Sequence, residues 1–372
     1  MFHSHRLKAV VYLNHLSSTP KSHHLLHSLN PFSTTSDSFT LSYFTNNCGL
    51  SPQDALKASK RLRLTFTTPE KPNSVIAFFK THGFSIPQIQ SIILKNPQLI
   101  LSNPTKTILP KFQFLASKGA SPSDIVAAVT RSSRFLRVSL EKHIIPAFQL
   151  VRRFCPSDQK AITSIIICPA SISDVRMKPN VNFLLDYGVT PSSIYHLLST
   201  RPSVICSTDL TEVVEEIKGL GFHPSKYNFC VALLAKRGIS KSQWDAKVDV
   251  LNKWGWSQDE ILHAFKKNPK IMLRSADKLN AVMTFWIKQL GWDPSVLLAA
   301  PDLFGFSLEK RLIPRASVVR YLLSKGMIKK TASMYTPFNL SDELFMKKYV
   351  NCYEEEVASR LLRLYQGKDA SL

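Results

Sequence analysis

Gly255-Trp256-Ser257-Gln258-Asp259-Glu260-Ile261-Leu262-His263-Ala264-Phe265-Lys266-Lys267-Asn268-Pro269-Lys270-Ile271-Met272-Leu273 holds every signal of a helix that starts, buries one face and stops. Gly255, free to adopt positive φ, ends the helix before it. Trp256 bridges, and the Ser257 hydroxyl caps the next helix, with Glu260 at the capping-box position. Ile261, Ala264 and Phe265 then follow i, i+3, i+4 spacing, one buried stripe. Lys266 and Lys267 stand where the helix dipole is negative, and Asn268-Pro269 ends the run. A short apolar piece, Lys270 to Leu273, leads to a further helix.

The same device recurs through the chain. The sequence has only 12 glycines, and eight of them (Gly49, Gly83, Gly119, Gly188, Gly221, Gly255, Gly291 and Gly326) form a ladder. Cys155 fills the one vacant rung, and the steps are then 33 to 36 residues. Two residues after each of the first eight rungs stand Ser51, Ser85, Ser121, Ser157, Thr190, His223, Ser257 and Asp293, all but His223 good N-cap types. Proline follows one position later at Pro52, Pro122, Pro191, Pro224 and Pro294, and fourteen after the rung at Pro97, Pro169, Pro202 and Pro269. Each unit therefore reads as helix, short turn-like piece, helix. One such unit cannot bury its stripe alone, so the expected fold is all-α: a solenoid, or superhelix, of about eight repeats of roughly 35 residues. Two units depart from the pattern. One begins at Cys155, which lacks the left-handed freedom of glycine; the other, from Gly221 to Trp254, carries Ala235 where the corner proline is due.

The chain has 372 residues with 48 Lys+Arg against 26 Asp+Glu, a net charge of +22. Residues 1–74 contribute +5, residues 75–330 contribute +18 and residues 331–372 contribute −1. The excess sits on the repeats, which is the electrostatic footprint of a polyanion binder. A stack of repeats aligns equivalent positions along one concave surface, so a cation recurring once per unit forms a stripe matched to a phosphate backbone. No apolar run reaches the ~18–20 residues that span a bilayer. The six cysteines make no C-x-x-C pair, which excludes a zinc ribbon or disulfide framework and suits a reducing compartment, each thiol being a small core residue. The histidines have no ligand spacing, and no G-x-S-x-G, Walker A or G-x-G-x-x-G motif occurs. The reading is a non-enzymatic binding protein with no catalytic residue, no metal, no cofactor and no small-molecule substrate, acting as a monomer.

From Met1 to Ser36 there is no acidic residue, while Ser, Thr and His abound. That composition is typical of an organellar transit peptide, disordered before import. Arg6 to Leu13 suits a short basic amphipathic helix, which favours the mitochondrion over the chloroplast as alternative. The expected organisation is thus a transit segment over 1–36, a repeat array over 37–330 and a C-terminal helical cap over 331–372.

Several motifs carry a family resemblance. They are Ser38-Phe39-Thr40-Leu41-Ser42-Tyr43 with Cys48-Gly49-Leu50-Ser51, Lys71-Pro72-Asn73-Ser74-Val75, the Asn96-Pro97 and Asn268-Pro269 corners, Ser307-Leu308-Glu309-Lys310-Arg311-Leu312-Ile313-Pro314-Arg315, and Tyr353-Glu354-Glu355-Glu356. Together, over roughly residues 37–366, they resemble the mitochondrial transcription termination factor (mTERF) family of the plant type. The resemblance implies a superhelix of mTERF repeats, an organellar location and nucleic-acid binding through a basic inner face. It also implies a role in organelle gene expression: double-stranded DNA binding in transcription regulation or termination, or, alternatively, RNA binding that supports intron splicing or RNA stability.

The candidate contacts are cations near helix ends and just after the corners. They are Arg134, Arg137 and Lys142 in one unit, Arg201 in another, then Lys266, Lys267, Lys270 and Arg274, and last Lys310, Arg311 and Arg315. Arg152-Arg153 and Lys329-Lys330 read as solvated face. Trp256 and Trp292 follow rung glycines and read as packing between units, not as base-stacking platforms.

Overall fold

A computed structural model describes residues 34–62, 65–329 and 334–368. The expected transit segment lies outside them but for its last three residues, which open the helix Thr34–Asn46. Among the described residues all regular structure is helical, and no helix is long and apolar enough to cross a membrane.

The glycine ladder is the reason. All eight rung glycines sit in the left-handed region, with φ between 66° and 97°. After Gly83, Gly119, Gly188, Gly221, Gly255 and Gly326, the next residue's N–H donates to the carbonyl five residues back (for example Phe84 to Phe79 at 3.1 Å and Val189 to Leu184 at 2.9 Å). That bond closes the helix end and aims the chain at the next cap. The bridging residues Leu50, Phe84, Ala120, Val189, Phe222 and Trp256 are buried. Ser121 and Ser257 complete capping boxes with Asp124 and Glu260, and Ser85 does so with Gln88.

Three rows result. First-row helices such as Ile86–Lys95, Pro122–Arg131, Asp158–Ile167 and Pro191–Thr200 stack on one another. Corner turns of 3₁₀ type follow them at Pro97–Leu101, Ser133–Arg137, Pro169–Ser173, Pro202–Val204, Pro269–Leu273 and Pro301–Gly305. Proline opens five of these six turns because it denies the first-row helix its next N–H. Second-row helices such as Leu109–Ser117, Ile145–Arg152, Met177–Asp186 and Ala276–Met283 complete the units. Several of them have their own polar cap: Asn103, Ser139, Ser275 and Ser307 accept from the N–H three residues on, at 3.0 to 3.2 Å. The product is the expected solenoid. One apolar core runs from Tyr43 to Phe338, and a second cluster (Val318, Leu322, Phe345, Val350, Leu361 and Leu364) joins the last second-row helix, Ile313–Ser324, to Asp342–Tyr349 and Glu355–Tyr365.

The two irregular units have identifiable causes. At Cys155 an arginine does the work of the missing glycine: Arg152 Nη1 donates to the Cys155 carbonyl at 2.6 Å and Nε to Asp158 at 2.7 Å. Arg152, expected as solvated face, is thus a corner tie. In the other unit, helix Tyr227–Gly238 runs straight through Ala235, and Ser240 caps Lys241–Lys253 with Gln243. His223 caps no helix; its ring accepts from the Ser225 N–H at 3.3 Å. The cysteines also divide. Cys48, Cys155, Cys206 and Cys230 are core residues, but Cys168 is half-buried and Cys352 is exposed. Burial pushes the thiols of Cys48, Cys206 and Cys230 up to about 12, so they stay protonated at neutral pH.

Candidate nucleic-acid interface

Three cations at first-row helix ends meet a carbonyl, but not of their own helix. Arg61 donates to the Leu94 carbonyl at 3.1 Å, Lys95 to Thr130 at 2.9 Å and Arg131 to Ile166 at 2.7 Å. Each ties its unit to the last turn of the next first-row helix, where the dipole is negative. The ladder stops at Ile167, an apolar residue at the equivalent place. Asn96 and Asn268, the polar residues before the corner prolines, make a second set of ties, Asn96 to the Ser133 carbonyl at 3.4 Å and Asn268 to the Asp302 carboxylate.

These ties bring successive corner turns together, Ser133–Arg137 against Pro169–Ser173 and Pro269–Leu273 against Pro301–Gly305. Arg134 and Arg137 lie in the first of these turns and are exposed; Lys142 is exposed in the first turn of the helix that follows. Lys266 and Lys267 end a first-row helix, and Lys270 lies in the corner after it, its Nζ 5.2 Å from the centre of the Tyr227 ring. Arg274 closes that corner and passes close over Gly305, whose missing Cβ would stand 3.2 Å from Nη2. Arg201 lies in the same way over Gly238, at 3.3 Å from Nη1. Lys310 is exposed in the first turn after Ser307.

Arg311 and Arg315 are corrections. Arg315 is fully buried, with Nη1 donating to the carbonyls of Pro337 (2.8 Å) and Leu340 (2.7 Å) and Nη2 paired with Asp342. Arg311 gives its Nε to the Phe338 carbonyl at 2.9 Å and its Nη2 to Leu340. Both side chains turn away from solvent because Thr336–Asn339 folds back over them and presents a cluster of carbonyls that needs donors. They fasten the C-terminal helices, and Arg315, fully buried, is closed to a ligand. Of the eleven candidates, Arg315 alone has a carboxylate within ion-pair distance among the described residues. The other ten have none within that distance among the described residues, although Asp174 acts on Arg134 and Asp342 on Arg311 from further away.

Some cations of the row escaped the sequence reading. Lys106 and Lys278 stand three residues after Asn103 and Ser275, the same register as Lys142 and Lys310 after Ser139 and Ser307. That spacing is the signal by which they are found. Lys111, buried eight residues after Asn103, repeats the register of Arg315 after Ser307.

The basic row is interrupted in the middle. Around a cavity of about 600 Å³, Lys236 pairs with Glu216 at 2.6 Å and Arg237 with Asp209 at 3.1 Å, and helix Leu210–Gly219 carries Glu212, Glu215 and Glu216. Charge is balanced there, whereas the corners on either side are basic. Trp244 in that cavity is already covered by Lys236 Nζ at 4.7 Å from its ring centre. Trp256 and Trp292 pack as expected, Trp256 edge-on to Phe304 and Trp292 against Trp286 and Phe338.

Comparison with known proteins fits this architecture. The family model described as mTERF matches residues 76–237 and 233–346. Among curated relatives, "Transcription termination factor MTERF15, mitochondrial" of Arabidopsis thaliana is 20% identical over 289 residues, 77% of this chain and 57% of that protein. "Transcription termination factor MTERF8, chloroplastic" of the same plant is 18% identical over 227 residues, 59% of this chain and 45% of that protein. The chain thus spans about half the length of these relatives. Repeated corners, stacked helical pairs and a family match over most of the chain agree: the protein belongs to the mTERF family.

Proposed function

We propose that this protein binds nucleic acid in an organelle and regulates gene expression there, with double-stranded DNA as the ligand and transcription regulation or termination as the outcome. The observation that carries this reading is two groups of cations with no carboxylate within ion-pair distance among the described residues: Arg134, Arg137 and Lys142 on one corner turn and the helix start behind it, and Lys266, Lys267, Lys270 and Arg274 around a later corner. Cations that have carboxylate partners elsewhere in the chain are spent; these are available to phosphates. The balanced charge around Asp209 and Glu216 separates the blocks, so the ligand is gripped at two places. The names of the relatives, transcription termination factors of mitochondrion and chloroplast, support the organellar setting; the basic stretch from Arg6 to Leu13 favours the mitochondrion, with the chloroplast as the alternative.

Competition binding tests the choice of ligand. The chain is titrated with a labelled duplex, and unlabelled duplex DNA, single-stranded RNA and structured RNA are added in turn. The proposal expects duplex DNA to compete best. Stronger competition by either RNA moves the function to RNA processing, and no binding of any of the three at low salt removes nucleic acid as the ligand.

A further inference from the structure

We propose that the cavity between the second and third units seats one phosphate of the bound nucleic acid, with Lys106, Lys111 and Arg137 as its cations. This rests on the nucleic-acid reading above and assigns it a specific pocket.

The cavity, about 430 Å³, lies between the start of one second-row helix and the corner of the next unit. Lys111 lines it, although only 5% of that residue is exposed. Its Nζ donates to the carbonyls of Thr107 at 2.7 Å and Leu136 at 2.6 Å. An ammonium has three donors, so one remains. Arg315 shows what the same register does when the cation is neutralised within the chain: it is sealed in, with Asp342 as counter-ion. Lys111 has no carboxylate within ion-pair distance among the described residues. A buried charge without a counter-ion is costly, and an anion in the adjoining cavity supplies one.

The rest of the lining agrees. Lys106 and Arg137 are exposed at the cavity wall, and neither has a carboxylate within ion-pair distance among the described residues. Among the described residues Arg137 holds only a long contact to Asn96 Oδ1, at 3.4 Å, which leaves most of its guanidinium donors for a phosphate. Ser139, which caps the helix at that wall, also lines the cavity. The one carboxylate present is Glu141, which accepts from Ser139 Oγ at 3.3 Å. Three cations against one carboxylate leave the cavity basic. Burial holds the Lys111 pKa below its ordinary value, and Glu141 offsets this only in part.

The test uses the full chain and the salt dependence of its affinity. Each phosphate neutralised contributes about 0.9 to the slope of log K against log[salt] on duplex DNA and about 0.7 on a single strand. The Lys106→Ala/Arg137→Ala variant, which alters exposed side chains only, is expected to lose one such increment. The Lys253→Ala/Lys325→Ala variant, with the same loss of charge elsewhere, is expected to keep the slope. Lys111→Met is expected to match the first variant if it folds. Inorganic phosphate is the second probe: it is expected to raise the melting temperature of the unaltered chain but not of Lys106→Ala/Arg137→Ala. If the unaltered chain binds nucleic acid and both double variants have the same slope, the assignment is overturned, whether or not inorganic phosphate binds; a phosphate effect with unchanged slopes marks a free-anion site. If the unaltered chain binds no nucleic acid, the functional reading fails and this inference with it.

Discussion

Arg134 and Arg315 are both arginines beside a corner, and only their surroundings separate their roles. Arg315→Met takes its donor from the Pro337 carbonyl and the ion-pair partner from Asp342, and leaves the carbonyls of Phe338 and Leu340 to Arg311 alone. Chemical denaturation is expected to show a loss of about 2–4 kcal/mol, because the burial penalty of unpaired groups exceeds the net value of a hydrogen bond. Lysine there is expected to restore little, since one ammonium cannot reproduce the guanidinium fork. Arg134→Ala, at an exposed site with no carboxylate within ion-pair distance among the described residues, is expected to change stability by less than about 0.5 kcal/mol. A third site responds to pH. Arg176 holds the Asp174 carboxyl below its ordinary range, with a hydrogen bond from the side chain at 2.6 Å. Stability from that pair is complete above the carboxyl's unfolded pKa and is lost as pH falls through the lowered folded value. The difference in stability between the unaltered chain and Asp174→Asn is therefore expected to shrink as the pH drops below about 4. The charge of these residues was legible in the sequence, but the inward turn of Arg311 and Arg315 was not. It depends on a segment twenty and more residues later folding back over them, and no local spacing encodes that.

At the level of the helix and its ends, most of the structure was legible, because each boundary is set by residues within six positions of it. Ser121, Thr190 and Ser257 cap the helices that their spacing announces. The glycines give a paired test. Gly255 has φ +88° with open space where a Cβ would be, so Gly255→Ala costs the left-handed backbone penalty alone, about 1–2 kcal/mol. Gly219 ends helix Leu210–Gly219 at ordinary φ, also with open space, so Gly219→Ala is expected to stabilise by up to about 1 kcal/mol. Opposite shifts in midpoint denaturant concentration check both. What escaped at this level came from residues acting across a corner. Arg152 stands in for a glycine at Cys155 through a side chain three residues away, and the missing proline at Ala235 signalled a difference without saying that the helix would run on to Gly238.

Across the whole molecule, stacking makes each unit depend on its neighbours, and the ties from Arg61, Lys95 and Arg131 to the next helix end show that dependence in the first half of the array. The period of 33 to 36 residues sufficed to foresee the solenoid, because a unit with one apolar stripe has no other way to bury it. It did not reveal how the charge is shared out. Glu216 and Asp209 lie close to Lys236 and Arg237 only once the helices have packed, so a net charge of +18 over residues 75–330 resolves into two basic blocks with a balanced stretch between them. The central claim is that these blocks, and not the charge of the molecule at large, grip the nucleic acid. It is tested by measuring log K against log[salt] on duplex DNA for two variants of equal net charge. One replaces Arg134, Arg137, Lys142, Lys266, Lys270 and Arg274 by Ala; the other replaces the exposed Lys57, Lys60, Lys253, Lys325, Lys347 and Lys348. The account predicts that the first loses about 5 from the magnitude of the slope, six phosphates at roughly 0.9 each, and that the second stays near the unaltered chain; equal losses in the two variants contradict it.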